Sequence, residues 1–270
     1  MIRTIWNRMN FGRYLSRSAA SCKKVLRQYS TPPSQLQKMA YRRMMEELKK
    51  LTGWNTNERL TVCVEGNIAS GKTTLLEYFQ NDSRCEMVVE PMKKWRNIRG
   101  KNALALMYED PYRWSLTFQT YVQLTMLQAH KQPHTKPVKL MERSIYSAKY
   151  CFVENLYRNK IMPEIEYIVL SEWFDYILET SKIECDLIVY LRTKPEVVYE
   201  RIKKRGRLEE QSVSVEYLQT LHELHEDWLV RKKFPVPSKV LVIEADKCLP
   251  DMTQVYEEYR SQILQSSKSG

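Results

Sequence analysis

No apolar run in this 270-residue chain is long enough to cross a bilayer as a helix. The six cysteines, at 22, 63, 85, 151, 185 and 248, contain no Cys-x-x-Cys pair, and the four histidines fall at no ligand spacing. That argues against a zinc site and against a disulfide framework. It fits a reducing compartment, with cysteines acting as small buried hydrophobes. Acid is missing from one whole stretch. Residues 1–45 hold ten Lys or Arg and no Asp or Glu, and the first acid is Glu46. The rest of the chain holds 33 bases and 32 acids, so the formal charge of +11 belongs to the N-terminus. A basic nucleic-acid-binding body is therefore not expected.

The acid-free segment, MIRTIWNRMNFGRYLSRSAASCKKVLRQYS, is rich in Arg and contains Ser. Arg3, Arg8, Arg13 and Arg17 recur every four or five residues, close to one helical face. No apolar stretch of seven separates the charges, which argues against a secretory signal. The composition is that of a mitochondrial transit peptide, an address for the import machinery and the matrix. Arg27-Gln28-Tyr29-Ser30 resembles a matrix cleavage pattern, so residues 1–29 are expected to be removed. The competing reading is a basic tail that binds RNA or acidic lipid. Residues 30–58, with Pro32-Pro33 and a charged run up to Gly53, read as a linker with one N-terminal helix.

From residue 59 to 265 the chain alternates between short apolar runs and helical patterns. LTVCVE (60–65), EMVVEP (86–91), VKLMERS (138–144), DLIVYLR (186–192) and KVLVIEA (239–245) read as strands. Helical patterns cover about 71–80, 111–132, 145–158, 163–181 and 250–264, with another opening at Pro195. Such alternation predicts an α/β fold: a five-stranded parallel sheet with helices on both faces and its ligand at the carboxyl ends of the strands.

The first strand runs into GNIASGKTT (66–74). Gly66 and Gly71 let the backbone N–H groups of Asn67, Ile68, Ala69 and Ser70 curl around phosphate, and the following helix adds its positive end. Lys72 can reach the β- and γ-phosphates, Thr73 can hold Mg²⁺, and Thr74 completes the turn. The common owners of this loop leave marks that are missing. There is no Asn-Lys-x-Asp, no Asp-x-x-Gly switch, no Leu-Ser-Gly-Gly and no apolar strand ending in Asp-Glu. GTPases, transporter ATPases and motors are thereby disfavoured, and a small P-loop kinase with ATP and Mg²⁺ remains.

Three strand ends carry polar residues, Glu65-Gly66, Glu90-Pro91 and Glu142-Arg143-Ser144, and the last two are suited to transfer. Glu90, fixed by Pro91, can take a proton from an attacking hydroxyl. Glu142 stands where a carboxylate would serve Mg²⁺, and Arg143 can pair with Glu90 or meet the moving phosphoryl. Each of these could instead be a solvated turn residue or a surface ion pair. Arg201, Arg205 and Arg207, around Gly206, read as an arginine-rich lid. Among the residues of the intervening helices, Gln119 can match the Watson–Crick edge of a pyrimidine, thymine or cytosine, by turning its amide.

These residues sit in eight ordered motifs: GNIASGKTT, EPMKKWRNIRG, LMYEDPYRW, FQTYVQLTML, MERSIYSAKYCFVENLYR, DLIVYLRTKPE, RGRLEE and LHELHEDWL. Together they resemble the deoxyribonucleoside kinase family, its mitochondrial thymidine kinase and broad-specificity animal branches above all, from about residue 60 to 245. The resemblance implies ATP-dependent phosphorylation of a deoxynucleoside 5′-hydroxyl in nucleotide salvage. It implies Glu90 as base, Arg143 and Lys72 at the reacting centre, and Thr73 and Glu142 on Mg²⁺. Gln119 would read the base and Phe152 stack on it, with Trp95, Met107, Phe118, Val122, Met126 and Ala148 shaping the pocket. Tyr108 and Glu210 would hold the sugar 3′-hydroxyl, and the lid arginines would meet ATP. It also implies a homodimer. Ala148 points to thymidine, deoxycytidine and deoxyuridine, while the adaptable Met126 leaves purines open. Phe118 matches the broad-specificity branch, where the mitochondrial one is expected to carry Leu, whereas the leader points to the mitochondrial branch. The alternatives are a thymidylate-type monophosphate kinase, which needs extra cations for its acceptor phosphate, and a non-catalytic kinase-fold subunit, which tends to lose the loop Lys or the base.

Overall fold

The computed structural model describes residues 59–265, so the expected leader, linker and N-terminal helix lie outside the described residues. In chain order the elements are β1 (Leu60–Glu65), α1 (Lys72–Phe79), β2 (Cys85–Val88), α2 (Met92–Arg96), α3 (Ala103–Glu109), α4 (Pro111–His130), β3 (Val138–Glu142) and α5 (Ile145–Ser147). A π-helical segment, Ala148–Val153, joins α5 to α6 (Glu154–Arg158). Then come α7 (Glu164–Thr180), β4 (Leu187–Arg192), α8 (Pro195–Arg205), a 3₁₀ turn (Leu208–Glu210), α9 (Val215–His225) with a π turn (Glu226–Val230), β5 (Lys239–Glu244) and α10 (Leu249–Leu264).

The five strands form one parallel sheet in the order β2-β3-β1-β4-β5, as the strand pattern predicts. β1 is buried along its whole length and pairs on both sides. Its side chains alternate between the two faces. Leu60, Val62 and Val64 pack with Leu75, Leu76 and Phe79 of α1 and Met252, Val255 and Tyr256 of α10. Cys63 faces the other layer, with Met141, Ile188, Phe118 and Met126 of α4, Phe174 of α7 and Leu224 of α9. From β1 the chain crosses to the edge strand β2, returns to β3 beside β1, and then passes to β4 and β5 on the other side of β1. The carboxyl end of β1 is therefore the switch point, where a crevice opens between helices.

The structure revises four details. β2 stops at Val88, so Glu90 lies in the connection rather than in the strand. Pro91 has no N–H to extend an edge ladder, and Val89 already faces solvent. β3 stops at Glu142 because Arg143 has φ 64, outside the strand region. Three helices, α2, α3 and α9, were not expected from sequence. α2 and α3 have five and seven residues, too few to show a helical period. Finally, the helix over 145–158 widens at Ala148–Val153, so its backbone bonds reach i+5.

Candidate active site

The loop after β1 is shaped by its own chain. A Cβ on Gly66 would come within 2.7 Å of the Leu191 carbonyl oxygen and of Ser70 Oγ, and the residue has φ +143. Only glycine fits there. Gly71, at φ 99, turns the chain into α1. Asn67 is directed away from the crevice: its Nδ2 donates to the Leu218 carbonyl at 2.8 Å, which ties the loop to α9. Lys72 is buried, and its Nζ donates to the carbonyls of Asn67 (2.6 Å) and Gly66 (3.2 Å). Burial, and then the Arg143 charge, bring its pKa down to about 7. Thr73 Oγ1 donates to Glu142 Oε1 at 2.7 Å, so the two oxygen groups expected to serve a metal already touch.

Beside the loop, Arg143 is held from three sides. Its Nε lies 3.1 Å from Glu90 Oε1, its Nη1 donates to the Gly66 carbonyl at 2.9 Å, and its guanidinium sits 4.7 Å over the Phe152 ring. Burial pushes the Glu90 carboxyl up, Arg143 opposes this, and Glu142 adds to it. The arrangement can hold a hydroxyl-bearing group near a half-buried carboxylate whose proton affinity is raised.

One cleft of 1060 Å³ joins this centre to the phosphate loop. That is slightly above the range for one small-molecule ligand, as a site for two reactants requires. Ile68, Ala69, Ser70, Gly71, Thr73 and Thr74 line one end, and Trp95, Met107, Phe118, Val122, Met126, Ala148 and Phe152 the other. Trp95 Nε1 donates to Thr125 Oγ1 at 2.9 Å, and its ring meets Phe118 edge-on at 5.7 Å. Gln119 lines the same end, is 2% exposed, and its Oε1 has no hydrogen-bond partner among the described residues. A buried amide oxygen in that state is suited to a donor on a ligand.

The lid residues face Glu210. Arg205 Nε donates to Glu210 Oε2 at 3.1 Å and Arg207 Nη1 to Glu210 Oε1 at 3.2 Å. Arg201 Nη2 donates to the carbonyls of Ala245 and Lys247, both at 2.8 Å. It lines the cleft while fixing the segment after β5. Tyr108 lines the cleft near Glu210, and burial raises its pKa.

A deoxynucleoside kinase profile matches residues 62–267. The chain is 57% identical to the mitochondrial thymidine kinase 2 of Macaca fascicularis over 208 residues, which is 77% of this chain and 78% of that protein. The chain belongs to the deoxynucleoside kinase family. It is also 38% identical to the deoxycytidine kinase 2 of Gallus gallus over 200 residues, covering 65% of this chain and 76% of that one. The mitochondrial deoxyguanosine kinase of Xenopus laevis is 35% identical over 207 residues, covering 67% and 78%.

This deoxynucleoside kinase places several residues at the cleft that sequence reasoning missed. Leu249, Met252 and Tyr256 of α10 and Tyr217 of α9 complete the walls. Arg96, on α2, bonds Glu209 through Nε at 2.7 Å and so ties the acceptor wall to the lid. Glu65 and His225 lie fully buried behind the site. Burial raises the Glu65 carboxyl to about 7 and lowers His225 to about 3. The signal for Glu65 was present in strand parity: it shares a face with Cys63, so it points into the layer that holds the cleft.

Proposed function

We propose that this kinase transfers the γ-phosphoryl group of ATP to the 5′-hydroxyl of pyrimidine deoxynucleosides, in salvage of precursors for mitochondrial DNA. Thymidine, deoxycytidine and deoxyuridine are the preferred acceptors. The observation that carries this reading is Gln119: a buried amide with a partnerless oxygen, in the same cleft as the phosphate loop and the Glu90–Arg143 pair. A pyrimidine edge satisfies that amide in either orientation. Phe118 and Phe152 supply apolar surface for the ring, and Ala148 leaves room beside it.

The residues present suit ATP and Mg²⁺. Gly66 keeps the loop backbone open to phosphate oxygens, and Thr73 and Glu142 would hold Mg²⁺ through two oxygens. Two protein ligands are typical for an ion that keeps waters and substrate phosphates. When bound, the ion offsets charge on the phosphates. Glu90 accepts the 5′-hydroxyl proton, which its raised proton affinity favours. Protonation removes the negative partner of Arg143, and its guanidinium then becomes available to the developing phosphoryl charge. Tyr108 and Glu210 hold the 3′-hydroxyl. Arg205 and Arg207 turn from Glu210 toward the phosphates and exclude water as the lid closes.

Two further readings belong to this proposal. The exposed Ile165, Ile168, Val169, Trp173 and Tyr176 form one stripe on α7, next to exposed Leu124 of α4, and a homodimer would cover it. Residues 1–29 carry the mitochondrial address, in keeping with two relatives that are mitochondrial kinases by name. The test of the function is a panel of nucleosides and nucleoside monophosphates with ATP, read as initial rates. Thymidine and deoxycytidine should be phosphorylated, and thymidine monophosphate should not. Turnover of the monophosphate alone refutes the proposal.

A further inference from the structure

Glu65 is fully buried at the end of β1, one residue before the phosphate loop, and has no ion-pair partner among the described residues. Its Oε1 accepts the Ser144 hydroxyl at 2.5 Å, and its Oε2 has no partner among the described residues. Burying such a group is costly, so its surroundings show what it is placed to do.

Ser144 connects it to the reacting centre. Its Oγ accepts the N–H groups of Tyr146 (3.2 Å) and Ser147 (3.4 Å), and Ser147 Oγ returns a bond to the Ser144 backbone, which closes a capping box at the start of α5. An Oγ that accepts two N–H groups must aim its single proton elsewhere, and Glu65 is where it goes. The residue before Ser144 is Arg143, in the left-handed region at φ 64. A non-glycine residue holds that conformation only when its neighbours impose it. On one side, the Arg143 N–H donates to the Val64 carbonyl at 2.9 Å. On the other, Ser144 is pinned by Glu65. The same cap starts the helical segment that carries Ala148 and Phe152 into the acceptor end of the cleft.

We propose that Glu65 is a positioning residue for phosphoryl transfer. Its buried carboxylate fixes the Ser144 hydroxyl, and through it the turn that aims Arg143 at Glu90. Glu65 touches neither reactant; it acts through Ser144. The essential property is an acceptor oxygen at that point, not the charge. The inference rests on the kinase reading of the site.

The experiment compares Glu65→Gln, Glu65→Leu and Ser144→Ala with wild type. It measures kcat and KM for thymidine and ATP, thermal midpoint, and thymidine affinity by tryptophan fluorescence. Gln keeps an oxygen for the hydroxyl, so E65Q should retain a third or more of wild-type kcat. E65L should lose tenfold or more in kcat, while thymidine affinity changes less than threefold. S144A, which also removes the cap, should lose at least as much as E65L, and the double variant should be no slower than S144A, because the Glu65 contact is already gone there. Should E65L not fold, S144A carries the comparison with E65Q. A tenfold loss in E65Q, equal rates in E65L and wild type, or additive losses in the double variant would each overturn the proposal. A wild-type protein with no activity on any nucleoside points instead to failure of the kinase reading.

Discussion

Replacing Glu90 with Gln isolates proton transfer from everything else the site does. Gln has the same size and keeps an oxygen facing Arg143. Arg143 also retains its 2.9 Å bond to the Gly66 carbonyl and its place over Phe152, so its position does not depend on Glu90 alone. The side chains proposed to hold the base, Gln119 and Phe152, are themselves unchanged. Thymidine affinity should therefore stay within about threefold, well under the tenfold that corresponds to about 1.4 kcal/mol. What is lost is a proton acceptor. A positioned general base contributes roughly 10²–10⁴ in rate, or about 3–5 kcal/mol. In a loose phosphoryl-transfer transition state the hydroxyl proton leaves late, which places the expected loss near the lower bound, about 10²–10³ in kcat. Glu90→Asp is the complementary change. It keeps the charge but withdraws the carboxylate by about 1.5 Å, one C–C bond. A contact of 3.1 Å then opens past hydrogen-bonding reach, so Asp should also be slow. An assay that couples ADP release to a dye, together with fluorescence titration of thymidine, measures both quantities. A kcat for Glu90→Gln within threefold of wild type would show that the carboxylate is not the base.

Four more outcomes are expected. Gly66→Ala drives a methyl into the Leu191 carbonyl at 2.7 Å and should lower stability by about 2 kcal/mol or more and abolish ATP binding, read by calorimetric melting with and without ATP. Two buried groups set opposing pH responses. His225 is held neutral, with its pKa lowered from 6.5 to about 3, so its contribution is present above pH 6.5 and is lost as pH falls through 3. Glu65 is raised from 4.5 to about 7, so its contribution is present below pH 4.5 and is lost as pH rises through 7. The two offset one another between pH 4.5 and 6.5, and His225 alone acts below that range. His225→Leu should flatten the stability profile below pH 4.5, where it removes a term on the order of 2 kcal/mol. Midpoints measured in steps between pH 3 and 8 test this, and parallel curves for the two proteins would refute it. Trp173→Glu places charge on the α7 stripe and should convert a dimer to a monomer by light scattering with little change in melting. Deleting residues 1–29 should abolish mitochondrial import of a fluorescent fusion and leave activity in vitro unchanged.

The elements and residues differ in how far the sequence reveals them. β1, β3 and β4 were legible because strands buried on both faces read as continuous apolar runs, and Leu60–Glu65 and Leu187–Arg192 are such runs. The loop was legible because glycine spacing encodes its backbone directly. Glu90 and Arg143 were legible as polar residues at strand ends beside the loop and Gln119 as an amide suited to a base edge, but only the family motifs chose between these roles and a solvated or structural one. α2 and α3 were not legible, because five to seven residues complete less than two turns. Nor was the widening at Ala148–Val153, where the sequence offers no Gly or Pro. Arg201 has structural contacts that its place in the sequence hides. Its neighbours in sequence are lid residues, but its partners, the Ala245 and Lys247 carbonyls, come from the far end of the chain. Glu65 could be read as a loop residue or as a core one, and only the layer facing it decides.

The position of β1 at the centre of the sheet has a consequence for how the chain is made. β1 is first in sequence among the strands, yet both of its partners, Val138–Glu142 and Leu187–Arg192, come much later. A chain that emerges from a ribosome or a translocation pore presents Leu60–Val64 with no partner until Val138–Glu142 has followed, and with a partner on both sides only after Leu187–Arg192. The phosphate loop is bound by the same timetable, because the backbone it closes against is the carbonyl of Leu191. Nucleotide therefore cannot act as a template for early folding. Holdase chaperones have their longest opportunity at the apolar segment just ahead of the loop, and a truncation anywhere before β4 leaves that segment exposed and prone to aggregation rather than yielding a smaller nucleotide-binding domain.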